Sequence, residues 1–340
     1  MPARVQRAPG RPHRAVAQIR SAVRAALLEA RPAPVADQPL ALAAVSGGAD
    51  SLALADALAF VHDDAGWRAG ALIVDHDLQP GSAPAAETAA RICRTRGLDP
   101  VEIIRVQVPD SGAGPEAAAR EVRYAALTAA ADRLGAATVL LGHTRDDQAE
   151  QVLLGLTRGS GTRSLSGMPR SRGLFARPLL GTSRADTRAA CAAENLEVWD
   201  DPMNADPAFA RVRVRRLLAD LEEDLGPGVA AALARSAEQL RADADLLDDL
   251  ARRARAGLPE RSPFPVAELA ALATPLRLRV WRLLLTDAGA PAGRTGATHT
   301  NACDRLLTDW RGQGPIHVPG GLSVSRREGW VHIETEGRVE

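Results

Sequence analysis

Residues 40–142 alternate short apolar runs rich in strand-forming residues with longer segments of helical spacing. The apolar runs cover residues 40–45, 70–75, 101–108 and 137–142, and the helical segments cover residues 50–66, 84–96 and 116–134. This alternation is typical of βαβ units, in which parallel strands form one sheet and helices cover both of its faces. The predicted fold class is therefore α/β, with a doubly wound, mainly parallel sheet.

Three parts are predicted along the chain of 340 residues. Residues 1–39 form a basic N-terminal arm and a helix, because apolar residues recur at helical spacing between residues 15 and 30. Residues 40–216 form the α/β domain. Residues 217–340 form a mainly helical domain, with a long amphipathic helix that begins near Pro227 and a small β element at its end.

Composition limits the classes of protein to which this chain can belong. Its 42 basic residues are all Arg and balance 42 acidic residues, so net charge alone does not indicate nucleic-acid binding. Its three Cys residues are far apart, which favours neither a disulfide framework nor a zinc site. No apolar run is long enough to cross a bilayer, and the N-terminus lacks the apolar core of a secretory signal. We therefore predict a cytoplasmic protein that does not associate with membranes.

Polar segments follow three of the predicted strands. These segments are residues 46–51, 75–82 and 142–151. In open parallel sheets, ligands bind beyond the carboxyl ends of the strands. We therefore expect the functional residues of the α/β domain in these three segments.

The first of these segments, SGGADS, has the composition of an anion-binding turn. A Gly-rich turn between a strand and a helix presents backbone N–H groups, and the helix N-terminus adds a positive dipole end. Its two glycines let the backbone approach a phosphate, and its two serines add hydroxyl donors. Asp50 would repel phosphate unless a divalent cation lies between them. The predicted nucleotide-binding residues are Ser46, Gly47, Gly48, Ala49, Asp50 and Ser51; an ordinary flexible turn with a helix cap is the alternative.

A second group of chemically active residues stands in GHTRDDQAEQ, residues 142–151. His143, Asp146, Asp147 and Glu150 follow an apolar strand, and the carboxylates of Asp147 and Glu150 share a helix face if a helix begins near Asp146. Such a pair can bracket a metal ion or an ammonium group. The alternative is a helix whose first turn carries acids because they complement its dipole.

Several segments together resemble one enzyme family. SGGADS resembles the pyrophosphate loop of the PP-loop ATP pyrophosphatases, which cleave ATP between its α and β phosphates. With VDHDLQPGS, AREVRY, GHTRDDQAEQVLLGLTRGSG and DDPMNADPAFARVRVRR it follows the order and spacing of the tRNA(Ile)-lysidine synthetase family, over roughly residues 40–216. The resemblance implies a five-stranded sheet of the adenine nucleotide alpha hydrolase-like type. It also implies that residues 40–216 are catalytic and that residues 217–340 contact tRNA or substrate.

The sequence departs from the family pattern at five positions. The family usually has Gly and Arg where this chain has Asp77 and Gln79, and a second His and a Thr where it has Thr144 and Gln151. Val212 stands where an Asn is usual. The departures concern contacts to the substrate. The positions that match the family pattern are the loop, Arg120, Arg123, His143, Asp146, Asp147 and Glu150.

The resemblance implies a ligase reaction in two steps. The C2 oxygen of the wobble cytidine, in an isoleucine tRNA with the anticodon CAU, attacks the α phosphate of ATP and releases pyrophosphate. The ε-amine of L-lysine then attacks C2 and expels AMP, which leaves lysidine. The expected substrates and cofactors are ATP, Mg²⁺, L-lysine and this tRNA, and a homodimer is left open.

Each candidate catalytic residue has an expected role in this reaction. Transfer at phosphorus requires charge neutralisation, so Mg²⁺ is expected at Asp50 and Asp147. Asp147 and Glu150 are expected to contact an ammonium group of lysine, and His143 to donate to the α phosphate or to transfer a proton. Arg120 is expected to stabilise the transferring charge, with a surface position on its helix as the alternative.

Arg clusters are expected to hold the tRNA backbone. The predicted tRNA-binding residues are Arg158, Arg163, Arg211, Arg213 and Arg215, with Arg170, Arg172, Arg177 and Arg216 beside them in the same two clusters. Apolar and basic residues alternate in RVRVRR, residues 211–216, which differs from helix spacing. A solvated helix face is the alternative interpretation of each cluster. Trp199 is predicted to lie in the core.

Three rival functions share the anion-binding loop. A tRNA thiolase would need reactive, usually paired, cysteines, which the three isolated Cys residues do not provide. An amide-forming relative such as NAD synthetase would leave the Arg-rich segment unexplained. A nucleotide-binding module without catalysis would not need the His and carboxylates at the strand ends.

Overall fold

The computed structural model describes residues 11–30, 38–76, 81–107, 115–157 and 161–336, with only the backbone at residues 115–117 and 204–205. The chain forms two compact units, Met1–Leu240 and Arg241–Glu340. Residues 1–10, which belong to the predicted basic arm, lie outside the described residues. The functional boundary between residues 216 and 217 stays a prediction.

Helices and strands alternate in the first unit. The first part contains α1 (Arg14–Glu29), β1 (Leu40–Val45), α2 (Ala49–Ala65), β2 (Arg68–Asp75), α3 (Ser82–Thr95), β3 (Val101–Arg105), α4 (Pro115–Leu134) and β4 (Ala136–Leu141). There follow α5 (Arg145–Thr157), α6 (Thr162–Leu165), β5 (Ser171–Arg172), β6 (Phe175–Ala176), α7 (Arg184–Ala193) and α8 (Ala210–Leu225), with 3₁₀ turns at Pro178–Gly181 and Pro202–Ala205. Helix α9 (Val229–Ala256) then continues into the second unit. These elements confirm the predicted alternation, although β3 ends at Arg105, three residues earlier than expected.

The sheet of the first unit has the strand order β3-β2-β1-β4-β6-β5. The first five strands in this order run parallel, which confirms the predicted doubly wound, mainly parallel fold. The two-residue β5 pairs antiparallel with β6 and adds an edge strand that the sequence did not indicate. Since β2 and β4 flank β1 on opposite sides, the strand order reverses at the carboxyl end of β1, where ligands bind in such sheets.

Two apolar clusters cover the faces of this sheet. All six residues of β1 are buried, as expected for a strand covered by helices on both faces. On one side, α1 packs against α2 through the apolar face that its sequence predicted, with Val16, Ile19, Val23 and Leu27 buried. On the other side, Leu127 and Ala131 of α4 pack against strand residues such as Leu42. The packed faces hold the carboxyl ends of the strands, and the loops after them, in fixed positions.

The Arg-rich segment 211–216 is helical, which corrects the interpretation of its alternating pattern. It forms the first turns of α8, where Val212 is buried and Val214 is half-buried. A short alternation of apolar and basic residues fits both a strand and the first turns of a helix. The pattern alone therefore does not distinguish the two. The helix turns Arg211 and Arg215 to a similar side, since residues four apart lie one above the other.

The second unit packs helices against a small antiparallel sheet. It contains β7 (Phe264–Pro265), α10 (Val266–Ala270), α11 (Thr274–Asp287), α12 (Ala297–Thr308), β8 (Ile316–Val318), β9 (Leu322–Arg327) and β10 (Trp330–Thr335), with the strand order β7-β10-β9-β8. The predicted helices and the terminal β element are confirmed. Trp281, Leu284 and Cys303 lie in its apolar core.

None of the helices within the described ranges is both long enough and apolar enough to cross a bilayer.

Candidate nucleotide-binding site

A cavity of about 690 Å³ opens at the carboxyl ends of the strands of the first unit. Its wall includes segments that follow β1, β2 and β4, as the sequence predicted. The polar side chains that line it are Ser46, Asp50, Ser51, His76, Arg123, His143, Asp147, Glu150, Arg184, Arg188, Asp200, Asp201, Arg211 and Arg215. The cavity therefore combines the predicted loop, the predicted acids and several guanidinium groups.

The loop at residues 46–51 has the backbone geometry of an anion-binding turn. Gly47 has a φ of +86°, a conformation that residues with side chains rarely adopt, and α2 begins two residues later at Ala49. The hydroxyl of Ser51 donates to the carbonyl oxygen of Gly48 at 2.9 Å and accepts from the Ser46 N–H at 3.1 Å. Ser51 therefore braces the turn from inside, while the exposed Ser46 carries the more accessible hydroxyl.

Two neighbouring segments hold the loop from either side. A Cβ atom at Gly142, just after β4, would lie 3.1 Å from backbone atoms of Asp50 and Ser51. The N–H of Trp199 donates to the Gly47 carbonyl at 3.0 Å, and its side chain stands 3.6 Å from where a Gly47 side chain would begin. Trp199 is half-buried and lines the cavity, so its predicted place in the core is wrong.

Arg184, the first residue of α7, connects the predicted acids. Its Nη2 donates to Asp147 Oδ1 at 2.7 Å and to Glu150 Oε1 at 3.2 Å, and its Nε lies 3.7 Å from Asp50 Oδ2. Its backbone N–H donates to Asp146 Oδ2 at 2.9 Å. The structure thus brings together the four acids that the sequence analysis singled out. The arginine at their centre, Arg184, was not among the predicted residues.

Further hydrogen bonds orient Asp147 and Asp50. The N–H and hydroxyl of Thr144 donate to Asp147 Oδ2 at 2.7 and 2.9 Å, so Thr144, one of the departures from the family pattern, orients this acid. Burial would raise the pKa of Asp147, but Arg184 and these hydrogen bonds hold it below its usual value. The hydroxyl of Thr187 donates to Asp50 Oδ1. The pKa of Asp50 is raised, chiefly by burial, although Thr187 and Arg184 oppose the rise.

Two histidines line the cavity in their neutral form. Burial lowers the pKa of His143 to about 3, with nearby arginines adding to the shift and Asp147 opposing it. Burial also lowers the pKa of His76, the residue after β2. The Nδ1 atom of each ring is buried and has no hydrogen-bond partner among the described residues. A neutral imidazole supplies one N–H donor and one acceptor, which suits hydrogen bonding to a ligand.

The Arg-rich helix α8 contributes to the same cavity. Arg215 Nε donates to Glu150 Oε1 at 3.0 Å, and Arg211 and Val212 also line the cavity. Arg213 instead donates to the carbonyl oxygens of Pro207 and Ala208 at 2.7 and 2.8 Å. The Glu150 side chain is 3% exposed and lies between two guanidinium groups, so its charge is balanced where it stands.

Other predicted residues lie apart from the cavity. Arg120 is exposed on α4, 5.0 Å from the Tyr124 ring, and the arginine of α4 that lines the cavity is Arg123. Arg163 is exposed on α6. Arg158, Asp77 and Gln79 lie outside the described residues. Neither Arg120 nor Arg163 is among the side chains that the cavity brings together.

Sequence reasoning missed Arg184, His76 and the cavity position of Trp199. His76 follows β2 directly, so the strand-end rule that selected His143 could have selected it. Ser183 and Asp186 form a capping box at the start of α7, and the sequence pattern of such a box could have placed Arg184 at a helix N-terminus. Its contact with residues of α5 has no local signal.

All three cysteines are buried and free of disulfides. Burial raises the pKa of Cys93, of Cys191 and of Cys303 to about 12. Each thiol is therefore protonated at neutral pH, whereas sulfur transfer requires reactive thiolates or cluster ligands. The thiolase alternative gains no support from these side chains.

Comparisons with known proteins agree on one family. Residues 19–222 match the PP-loop domain model. The chain is 53% identical to the tRNA(Ile)-lysidine synthase of Streptomyces coelicolor (88% of this chain, 86% of that protein) and 51% identical to that of Salinispora arenicola (94% and 96%).

A solved structure shares the fold at low sequence identity. The U34-tRNA thiolase NcsA from Methanococcus maripaludis, with its [4Fe-4S] cluster, superposes with a TM-score of 0.55 at 17% identity, over 66% of this chain and 79% of that one. This likeness concerns the fold alone. By the sequence matches, the chain belongs to the tRNA(Ile)-lysidine synthase family of PP-loop proteins.

Proposed function

We propose that this protein ligates L-lysine to C2 of the wobble cytidine in an isoleucine tRNA with the anticodon CAU. ATP is consumed through an adenylated cytidine, with release of pyrophosphate and AMP, and lysidine is the product. The observation that carries the proposal is that one cavity holds the anion-binding loop, His143, Asp147 and Glu150. It is made in a chain that shares about half of its residues with named synthases.

In the first step, the loop at residues 46–51 holds the β and γ phosphates of ATP. Its backbone N–H groups, the Ser46 hydroxyl and the N-terminus of α2 are suited to anionic oxygens. The α phosphate then stands open to the cytidine oxygen, and pyrophosphate leaves from the loop. Because His143 is neutral, with a pKa lowered to about 3 by burial, it is better suited to donate a hydrogen bond than to accept a proton.

The donor set at the cavity fits Mg²⁺. Asp50 and Asp147 offer carboxylate oxygens, and Mg²⁺ is commonly bound by one or two carboxylates together with substrate phosphates and water. Among the described residues, no group of three or more His, Cys, Asp or Glu side chains is arranged to hold a metal by itself. When bound at Asp50 and Asp147, Mg²⁺ would neutralise phosphate charge as a Lewis acid.

In the second step, the acids of α5 are suited to receive lysine. Asp147 is held by Thr144 through one oxygen and by Arg184 through the other, and Glu150 meets Arg184 and Arg215. An ammonium group of lysine would share these oxygens with the guanidinium groups. The ε-amine attacks C2 of the adenylated cytidine in its deprotonated form, and AMP leaves.

The tRNA backbone would be held by exposed arginines and by the second unit. Arg163 is exposed on α6, and Arg213 is exposed at the start of α8. Phosphate contacts of this kind are salt-dependent, and they position the nucleic acid without reading its sequence.

The decisive experiment supplies every proposed substrate. Purified protein is incubated with ATP, Mg²⁺, L-lysine and an unmodified isoleucine tRNA transcript, AMP release is measured, and the digested tRNA is analysed by mass spectrometry. We expect AMP and a nucleoside with the mass of lysidine, both dependent on lysine. ATP binding without either product would contradict the ligase and favour a nucleotide-binding module.

A further inference from the structure

The guanidinium group of Arg184 lies close to the first turn of α2. The loop at residues 46–51 contains no basic residue of its own. Arg184 Nε lies 3.7 Å from the carboxylate of Asp50, the second residue of α2. The side chain is 22% exposed and lines the cavity, so a bound ligand can reach it.

Protein acceptors use only part of the hydrogen-bonding capacity of Arg184. A guanidinium group has five N–H donors. Both protons of Nη2 have acceptors on Asp147 and Glu150, and Nη1 donates once to Glu150 at 3.2 Å. The Nε–H and the second proton of Nη1 have no hydrogen-bond acceptor among the described residues. These two donors are available to a ligand in the cavity.

The acids around Arg184 keep its side chain in place. Asp147 is fixed by Thr144, and Glu150 is almost completely buried between Arg184 and Arg215. The backbone of Arg184 is fixed as well, since its N–H donates to Asp146 and it is the first residue of the capped helix α7. A planar guanidinium that is held in this way is preorganised for phosphate oxygens, which it binds more specifically than a flexible ammonium does.

We propose that Arg184 is the cationic side chain of the phosphate site and donates hydrogen bonds to the polyphosphate of ATP. Asp147 and Glu150 then anchor this arginine in addition to any contact they make with lysine. The inference rests on the proposed use of ATP in this cavity. It assigns to a residue of α7 the positive charge that the loop itself lacks.

The affinity for nucleotides tests this inference without tRNA or lysine. The full chain is titrated calorimetrically with a non-hydrolysable α,β-methylene analogue of ATP and, separately, with adenosine, in buffer containing Mg²⁺. For Arg184→Gln we expect the Kd of the ATP analogue to rise about tenfold or more, because charge-assisted hydrogen bonds are lost. The Kd of adenosine should stay within twofold, and Arg184→Lys should recover part of the loss.

Two further variants separate a direct contact from charge balance and from damage to the fold. If Arg184 only neutralised Glu150, the double variant Arg184→Gln/Glu150→Gln would regain wild-type affinity for the ATP analogue; we expect it to stay weak. Arg133→Gln removes a guanidinium from an exposed ion pair with Glu102 and should change neither Kd.

The possible outcomes bear on the two proposals differently. Three results would each overturn the role of Arg184. They are wild-type affinity for the ATP analogue in the double variant, an equal loss of affinity for adenosine in Arg184→Gln, and an unchanged Kd of the ATP analogue in Arg184→Gln. If the affinity for the ATP analogue depends on Arg184 but no lysidine forms, the ligase proposal fails and the role of Arg184 stands.

Discussion

The N–H of Trp199 donates to the carbonyl oxygen of Gly47 at 3.0 Å, so a segment distant in sequence supports the anion-binding loop. The Trp199 side chain stands 3.6 Å from where a Cβ atom of residue 47 would lie, and the φ of +86° at Gly47 favours a residue without a side chain. Glycine adopts this conformation without strain, and the two contacts with Trp199 fix it in the turn. Trp199 is therefore part of the structure that maintains the loop.

Replacing Trp199 by Ala should loosen the loop. The half-buried indole loses its packing, which we expect to lower the free energy of unfolding by about 2 kcal/mol and to weaken ATP binding several-fold. Calorimetric titration with the α,β-methylene analogue and urea denaturation measure the two effects. Trp199→Phe retains an aromatic face and should recover much of the affinity. Wild-type affinity in Trp199→Ala would contradict the supporting role.

Replacing Gly142 by Ala should displace the start of α2. The new Cβ would stand 3.1 Å from the backbone of Asp50 and Ser51, which cannot yield as a flexible side chain can. We expect a loss of about 1–3 kcal/mol in the free energy of unfolding, as for other overpacked sites, together with weaker ATP binding. Gly181→Ala is the matched control, because its Cβ would meet no atom within 4 Å. Equal behaviour of the two variants would contradict the close approach.

The burial of His143 should make the stability of the protein depend on pH. Its pKa is lowered to about 3 in the folded protein, and the usual value in an unfolded chain is 6.5. The unfolded chain therefore takes up a proton that the folded protein refuses as the pH falls below 6.5. This contribution destabilises the fold by about 1.4 kcal/mol for each pH unit between 6.5 and 3.

His143→Gln should remove this contribution. Urea denaturation at pH 7.5, 6 and 5 should give a shallower loss of stability in the variant than in the wild type. Parallel losses in the two proteins would show that the imidazole does not resist protonation.

Arg163→Gln should weaken tRNA binding without changing ATP binding. Each lost phosphate contact reduces the slope of log affinity against log salt by about 1. Filter binding of the isoleucine tRNA transcript at several salt concentrations measures the slope. Arg91→Gln is the matched control. Arg91 lies on α3 in an exposed ion pair with Glu197, and its replacement should leave the slope unchanged. An unchanged slope in Arg163→Gln would remove this residue from the tRNA interface.

Asp304→Ala should destabilise the second unit. Asp304 accepts from Arg277 Nε at 2.6 Å and from Trp281 Nε1 at 3.2 Å in a buried site. Removing the acid leaves a buried guanidinium without its partner, which costs about 3–5 kcal/mol. Thermal unfolding followed by calorimetry should show a lower transition temperature, whereas ATP binding at 20 °C should persist. A calorimetric trace equal to that of the wild type would contradict this account.

Local patterns predicted the fold well, because they report burial directly. The apolar runs at residues 40–45 and 137–142 correspond to β1 and β4. The apolar residues spaced from Val16 to Leu27 form the buried face of α1. The loop and His143 were both selected because they follow the carboxyl ends of parallel strands, and they line one cavity. These successes depend on short apolar runs and on the helical period of 3.6 residues, which a single sequence shows.

Contacts between distant segments could not be predicted in this way. Arg184 meets Glu150 across 34 residues of chain, and Trp199 meets Gly47 across a longer interval. Nothing in either local segment specifies its partner, because the position of α7 and of the residues after it is set by how α7 packs against α1 and α2. The start of α8 was misjudged for a related reason: six alternating residues fit a strand and the first turns of a helix equally well.

The burial of Cys93, Cys191 and Cys303 simplifies spectroscopy on this protein. A thiol that is buried and protonated reacts slowly with maleimides and other alkylating labels. A single cysteine introduced at an exposed position would therefore take up a fluorophore or spin label selectively in the otherwise native chain. With two introduced cysteines, one on α6 and one on α12, the distance between a pair of labels could be followed while tRNA binds.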